Sequence, residues 1–498
     1  MKLSHLIRGT GASGDLGDDP EIVLVTCDSR EVVPGACFFA LPGARLDGRS
    51  FAAQAVRQGA SAVVAEQPVE CARAPLLLVP SARRAMAIAA ANFHGRPADA
   101  LRIAGVTGTN GKTTVAYLLE ACATEAGLPM GVMGTVTHRF AGRERPASHT
   151  TPESTEIQAL LAEMVRAGTK AVVMEVSSHA LSQERVSGVR FHAAAFTNLT
   201  RDHLDYHGDM EGYFAAKRRL FTEHLAEGAI AVINAQDPFG ARLADQLGPG
   251  REVWRFGTRV EDPLRAVDVQ MAMSGVKAVL LTPRGEIAVH SPLVGVHNLE
   301  NLLCAAGLSL ALGLPREAVA RGLSRSRGAP GRLERIVGPS RPGVAAFVDY
   351  AHTDDALARA LSALRTLSPR RIVCLFGCGG DRDRGKRPLM GRAAAAGAEL
   401  TIVTSDNPRT EAPDAIIAEI LPGLAGARRL SAEEARGGER GYVIEPDRRA
   451  AIALALECAH KGDVVLLAGK GHEDYQIVGT ERRHFSDREE ARRFLGST

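Results

Sequence analysis

Five short apolar, β-branched runs in this chain each end in a loop rich in glycine, acid or asparagine, and Ala/Leu-rich amphipathic stretches separate them. That alternation is what parallel sheets demand, because each parallel strand has to be returned by a crossover, usually a helix. Residues 102–106 run into Thr107-Gly108-Thr109-Asn110-Gly111-Lys112, and residues 171–174 into Glu175. Residues 371–376 run into Gly377-Cys378-Gly379-Gly380, 400–404 into Ser405-Asp406-Asn407-Pro408-Arg409, and 464–468 into Gly469-Lys470-Gly471-His472-Glu473. The fold class read from this pattern is α/β. Open α/β sheets bind ligands beyond the carboxyl ends of their strands, so these five loops are where chemistry is expected.

The chain has 498 residues, more than one hydrophobic core serves, so several domains are expected. A first unit of short strands and one or two helices should end near Gly95-Arg96-Pro97, and a second break falls around Arg327-Gly328-Ala329-Pro330-Gly331-Arg332. The domains are therefore drawn as 1–97, 98–330 and 331–498. A net charge of +3 without a long basic run argues against a nucleic-acid partner. Charge interrupts the first eight residues before a signal-peptide core develops, and no apolar run reaches membrane-spanning length, so a cytoplasmic chain without membrane insertion is expected, taken as a monomer. The eight cysteines are scattered in apolar runs without CxxC pairs and read as buried thiols.

Gly108-Thr109-Asn110-Gly111-Lys112-Thr113-Thr114 follows a strand and opens a helix, so its N–H groups and the helix dipole can face a polyphosphate. Lys112 would reach the terminal phosphates and Thr113 would ligate magnesium. Val106 stands where a strict Walker A motif has its first glycine. Glu175, ahead of Val176-Ser177-Ser178-His179, can serve the metal from a neighbouring strand, although a strand-end Glu alone is more often a helix cap or a surface pair. Downstream, Arg201-Asp202-His203-Leu204-Asp205-Tyr206-His207 precedes Tyr213-Phe214-Ala215-Ala216-Lys217, which by itself also suits a solvated helix face.

Taken together, the loop 108–114, Glu175 with Ser177-Ser178-His179, His203 in its Asp-His-Leu-Asp setting and the run ending at Lys217 resemble the central domain of the Mur ligase family, in matching order and spacing. The resemblance implies three α/β domains: an N-terminal uridine-binding domain, a central P-loop ATPase-like parallel sheet and a C-terminal Rossmann-like domain. It implies ATP and Mg2+ as cofactors, with Thr113 and Glu175 on one ion, and His203 and a carbamylated Lys217 (N6-carboxylysine) on a second. Lys112, Glu175, His203 and Lys217 are then the catalytic set. Carbamylation makes chemical sense, since it turns a cation that would repel the metal into an anionic oxygen ligand. Asn298, within Gly295-Val296-His297-Asn298-Leu299-Glu300-Asn301, Arg332 and Asp349 match the family's remaining nucleotide contacts, while Asp354 departs from the proline common there.

Asp406-Asn407-Pro408-Arg409 resembles the signature of family members that add meso-2,6-diaminopimelate; lysine-adding relatives lack that arginine. Arg409 would meet the distal carboxylate, with Arg382, Gly469 and Glu473 completing the pocket and Glu473 facing the distal ammonium. Ser29 and the Ala44, Arg45, Leu46 backbone resemble the uracil contacts of the N-terminal domain. His149, Thr150 and Thr151 match the segment that holds the muramoyl dipeptide, with His149 in place of an expected Asn, and Ser177, Gln183 and Arg185 match further contacts. The partners so implied are UDP-N-acetylmuramoyl-L-alanyl-D-glutamate and meso-2,6-diaminopimelate. The implied reaction activates the D-Glu side carboxylate as an acyl phosphate, which the amino group at the L-centre of the diamino acid attacks, after the C-terminal domain closes on the central one. L-Lysine as the added amino acid is the alternative, a folylpolyglutamate-type ligase a remoter one, and a nucleotide-dependent switch that performs no ligation the rival from another class.

Overall fold

The computed structural model describes residues 1–43, 47–71 and 74–497. The chain divides into two compact units, the first comprising residues 1–266, 280–287 and 300–323, the second residues 267–279, 288–299 and 324–498.

The first unit holds two sheets. The N-terminal one has four parallel strands, Leu24–Thr26, Ala36–Phe39, Ala62–Ala65 and Leu76–Leu78, in chain order. Among the described residues three α-helices accompany them, one more than the sequence reading allows, because Leu3–Leu6 is a single turn too short to show helical periodicity. Helix Ala82–Phe93 packs on helix Ser154–Arg166 of the next layer. Close by, a Cβ on Gly188 would stand 2.8 Å from the carbonyl oxygen of Ala87, so a side chain there would separate the two layers.

The larger sheet has a parallel core in the spatial order Glu252–Gly257, Leu225–Asn234, Phe191–Phe196, Arg102–Thr107, Ala171–Glu175, Met130–Met133. Strands Thr137–Phe140 and Arg143–Pro146 extend it antiparallel at the Met130–Met133 side. Every residue of Ala171–Glu175 is buried, as expected of a central strand covered on both faces. Because the strands run parallel, the loops after Phe196, Thr107, Glu175 and Met133 emerge side by side.

In the second unit, strand Glu334–Ile336 pairs antiparallel with Ala345–Asp349, and the sheet continues parallel through Val464–Ala468, Ile372–Phe376, Leu400–Val403 and Gly441–Ile444. Side chains alternate between two cores: Phe347, Cys374 and Phe376 enter one, and Val348, Val373 and Leu375 the other. The last parallel strand in the sequence, Val464–Ala468, is inserted between two earlier ones. Its end therefore meets the ends of both neighbours, the arrangement that opens a crevice in doubly wound sheets. Among the described residues no helix is long and apolar enough to cross a membrane. Six cysteines are buried, Cys27 and Cys71 are partly so, and none is paired.

Candidate active site

The phosphate loop turns at Gly108, where φ is +145° and a Cβ would stand 1.9 Å from the Thr197 hydroxyl, so only glycine fits. Gly111, at φ +87°, precedes helix Lys112–Glu125. The loop after strand Phe191–Phe196 braces it: Asn110 N–H donates to Asn198 Oδ1 at 2.9 Å, Thr109 N–H to the Asn198 carbonyl at 2.9 Å, and the Thr197 hydroxyl to the Asn110 carbonyl at 2.6 Å. Lys112 Nζ donates to the carbonyls of Gly108 and Thr109, both at 2.9 Å. Val106 lies inside the strand, in register with Glu175, and Thr114 is buried at the helix start.

Glu175 is buried, and its carboxylate accepts the Thr113 hydroxyl at 2.9 Å together with the N–H and hydroxyl of Thr135, each at 2.9 Å. Lys217 is buried on helix Met210–Thr222, its amine donating to the Gly108 carbonyl at 2.9 Å and standing 4.7 Å from the Tyr213 ring centroid. Burial, reinforced by the charge of Lys112 and opposed by Asp202, drives its pKa well below that of an ordinary lysine. His203 caps a short helix at φ +53°, edge-on to His179 with centroids 4.8 Å apart, and its Nε2 lies 3.5 Å from Asp202. Burial foremost, with the nearby imidazoles of His203 and His207, holds His179 down at about 4.

Thus the structure joins Thr113 to Glu175, and Lys217 to the phosphate loop, whereas His203 sits with the histidines. Among the described residues no three His, Cys, Asp or Glu side chains gather to hold a metal. The donors present do suit a hard cation, since Thr113 and Glu175 offer adjacent oxygens and a lysine carbamate would add an anionic one.

The substrate segment lies against the same carboxylate. Thr151 is buried and donates to the Glu175 carbonyl at 2.8 Å, while Ser177 N–H donates to its hydroxyl at 3.0 Å. Ser177 caps helix Ser178–Ser182. Arg185 donates to the Thr151 carbonyl at 2.8 Å and grips Gln183 through two nitrogens, at 3.1 and 2.7 Å. Thr150 contacts the Thr135 hydroxyl at 3.1 Å, and His149 is exposed with Ser148 as its partner. Ser29 is partly buried in the loop after Leu24–Thr26, next to the Asp28–Arg30 ion pair. Ala44, Arg45 and Leu46 lie outside the described residues.

The second unit carries the other predicted residues. Asp349 accepts N–H groups from Leu333 at 2.7 Å and Ala351 at 2.9 Å, and burial raises its pKa. Arg332 lies over the Tyr350 ring, and Asn298 donates to the Val294 carbonyl at 2.9 Å. Asp354 occupies the first turn of helix Asp354–Arg365, where a carboxylate suits the dipole as proline suits the geometry. Arg409 is partly buried in left-handed conformation, its guanidinium donating to the Gly380 carbonyl at 2.8 Å and its backbone paired with hairpin Tyr475–Val478 through Ile477. Buried Asn407 donates to Glu473 at 2.9 Å; Pro408 continues the turn, and Gly469 N–H donates to the Asp349 carbonyl. Arg382 is exposed beside Gly379.

Several contributors escaped the sequence reading. Lys470 is fully buried, donating to Asn407 Oδ1 at 3.0 Å and the Tyr475 carbonyl at 2.7 Å, with Asp406 at 3.4 Å and Glu473 at 3.7 Å. Burial lowers the pKa of Lys470, and raises that of Glu473 with help from Asp406. Behind them Arg448 makes a fully buried bidentate pair with Asp487, at 2.8 and 2.6 Å, and also donates to the carbonyls of Ser405 and Ala468. It thereby ties two pocket loops to one point. In the first unit, Asn301, which ends the segment already matched to the nucleotide, lies where a Cβ on Gly111 would be 2.5 Å from its Oδ1. Lys470 and Thr135 carried a signal, a strand-end position; the Arg448–Asp487 pair carried none.

Three family models match the chain: Mur ligase family, catalytic domain, over residues 21–94; Mur ligase middle domain over 106–309; and Mur ligase, glutamate ligase domain, over 331–471. The chain belongs to the Mur ligase family, a family of ATP-dependent ligases, and has its three-domain α/β architecture. It is 49% identical to a UDP-N-acetylmuramoyl-L-alanyl-D-glutamate–2,6-diaminopimelate ligase of Geobacter metallireducens, covering 98% of this chain and 96% of the relative. It is 48% identical to the ligase of that name from Gloeobacter violaceus, covering 99% and 98%. A solved structure of a ligase of the same name aligns with a TM-score of 0.73 at 34% identity, covering 100% of this chain and 99% of the other. Mycobacterium tuberculosis folylpolyglutamate synthase, 19% identical with a TM-score of 0.61 and covering 82% and 94%, shares the fold.

Proposed function

We propose that this chain joins meso-2,6-diaminopimelate to UDP-N-acetylmuramoyl-L-alanyl-D-glutamate at the expense of ATP, in cytoplasmic peptidoglycan precursor synthesis. The observation that carries the reading is the cluster of side chains at the strand ends of the second unit. There Arg409 offers a cation, and Asn407 holds the carboxylate of Glu473. Such a pair suits an amino acid whose far end bears both a carboxylate and an ammonium; lysine would leave the guanidinium without an anionic partner. Near full-length identity to ligases whose names specify this amino acid supports the same choice.

In this reading the loop from Gly108 to Thr114 cradles the phosphates, Lys112 neutralises charge on the transferring phosphoryl group, and Thr113 and Glu175 would hold Mg2+. The ion supplies charge neutralisation to phosphoryl transfer. Thr150, Thr151, Ser177, Gln183 and Arg185 orient the muramoyl dipeptide, and Ser29 serves the uridine end. The D-Glu carboxylate attacks the γ-phosphorus, ADP leaves, and the acyl phosphate is then aminolysed with release of phosphate. Lys217 is assigned as a carbamate: burial lowers its pKa and so favours the uncharged amine, the form that adds CO2 and releases a proton. Asn298, Arg332 and Asp349 are assigned to the nucleotide, and the functional domains to residues 1–97, 98–330 and 331–498.

The test is phosphate release by the purified protein with ATP, Mg2+, the UDP-dipeptide and a panel of amino acids. Release dependent on both the UDP-dipeptide and meso-diaminopimelate is expected. Preference for lysine would reassign the amino acid, and ATP turnover indifferent to any amino acid would refute ligation.

A further inference from the structure

We propose that Thr135 is a positioning residue that couples the muramoyl-peptide segment to the metal-binding carboxylate; the inference rests on the reading of Glu175 given above. Thr135 lies just beyond strand Met130–Met133, whose neighbour is Ala171–Glu175, so adjacent strand ends bring the two residues together. Its N–H donates to Glu175 Oε1 and its hydroxyl to Oε2, both at 2.9 Å. Fixing both oxygens from one residue sets the plane of the carboxylate. Gly134 makes the approach possible, because a Cβ there would lie 2.3 Å from Oε1.

A hydroxyl has one proton. The Thr135 hydroxyl therefore donates to one acceptor at a time, to Glu175 Oε2 at 2.9 Å or to the Thr150 hydroxyl at 3.1 Å. That hydroxyl stands between the dipeptide-binding segment and the metal ligand, so a change at Thr150 alters its hold on the carboxylate. Thr151 repeats the connection through the main chain, its hydroxyl donating to the Glu175 carbonyl. A shift of residues 150 and 151 on substrate binding is thus transmitted to the carboxylate that faces Thr113. Linkage makes the effect reciprocal: substrate strengthens metal binding by the factor by which metal strengthens substrate binding.

The experiment titrates Mn2+ into the full-length enzyme by electron paramagnetic resonance of the free ion, with and without saturating UDP-N-acetylmuramoyl-L-alanyl-D-glutamate. Loss of a hydrogen-bond partner behind a metal ligand typically costs about tenfold or more in metal affinity. Thr135→Val, close to isosteric, is expected to bind Mn2+ about tenfold more weakly and to lose most of the enhancement by substrate, whereas Thr135→Ser keeps both. Thr135→Ala repeats the measurement should valine disturb the strand end. Wild-type affinity or wild-type enhancement in the variants without the hydroxyl overturns the proposal. Glu175→Gln runs in parallel: if it leaves Mn2+ binding unchanged, the metal reading of Glu175 fails, whereas if it alone weakens binding, only the role of Thr135 fails.

Discussion

Replacing Arg409 by alanine should abolish the advantage of meso-diaminopimelate over lysine. The two amino acids share the reacting head and differ by a distal carboxylate, so discrimination comes from whatever rewards that group or is penalised without it. One N–H of the Arg409 guanidinium is committed to the Gly380 carbonyl at 2.8 Å, which holds the side chain in place and leaves four of its five donors. A bidentate contact uses two of these. At roughly 1.5–3 kcal/mol for each hydrogen bond to a charged group, two give about 3–6 kcal/mol. Partial exposure of Arg409 favours the lower end, so a preference of about a hundredfold is expected, at roughly 1.4 kcal/mol per tenfold. The backbone at 409 is anchored independently through Ile477 and Gly479, so truncating the side chain should leave the loop standing. The assay is phosphate release under steady-state conditions, with kcat/KM for each amino acid in wild type, Arg409→Ala and Arg409→Lys. The alanine variant should lose about a hundredfold toward diaminopimelate with the KM for ATP unchanged, and lysine, unable to make a bidentate contact, should recover part of it. An unchanged ratio between the two amino acids would refute the argument, as would an equal loss toward both.

Lys217→Ala should lower kcat by a hundredfold or more and recover part of it on addition of a short carboxylate such as formate, because the hypothesis places an anionic oxygen, not an amine, beside Gly108; full activity without rescue would count against it. Arg448→Met should destabilise the protein by about 3–5 kcal/mol in urea unfolding, since Asp487 would be left buried and unpaired; joint replacement with Asp487→Leu should recover most of that, and equal losses in both variants would refute the electrostatic account. His224 is buried, with Nε2 unpartnered and its pKa pushed down to about 4, so the unfolded chain binds the extra proton more readily. Its contribution is full above about pH 6.5, falls as the pH drops toward 4 and is worth at most about 3 kcal/mol; His224→Gln should flatten the Tm profile across that window, and an unaltered slope would refute it.

The sequence by itself determined what depends on local order. Alternating apolar runs and amphipathic stretches set the parallel sheets, and the glycines at 108 and 111 set a turn into a helix. The run Asp406-Asn407-Pro408-Arg409 fell at a strand end whichever way the sheet was assembled. These features are written within a few residues of one another, so periodicity and turn chemistry expose them. Tertiary structure alone decided which loops became neighbours. Thr135 and Glu175 are forty residues apart and meet only because Met130–Met133 lies beside Ala171–Glu175. Lys470 finds Asn407, and Arg448 finds Asp487, because the last parallel strand is inserted among earlier ones and helices Arg448–Cys458 and Asp487–Leu495 pack together. The same holds for charge: an isolated Lys217 on an Ala-rich helix reads as a solvated cation. Only burial beneath the phosphate loop, next to Lys112, shifts its balance toward the neutral form, since desolvation is a property of what surrounds a residue in space and has no counterpart along the chain.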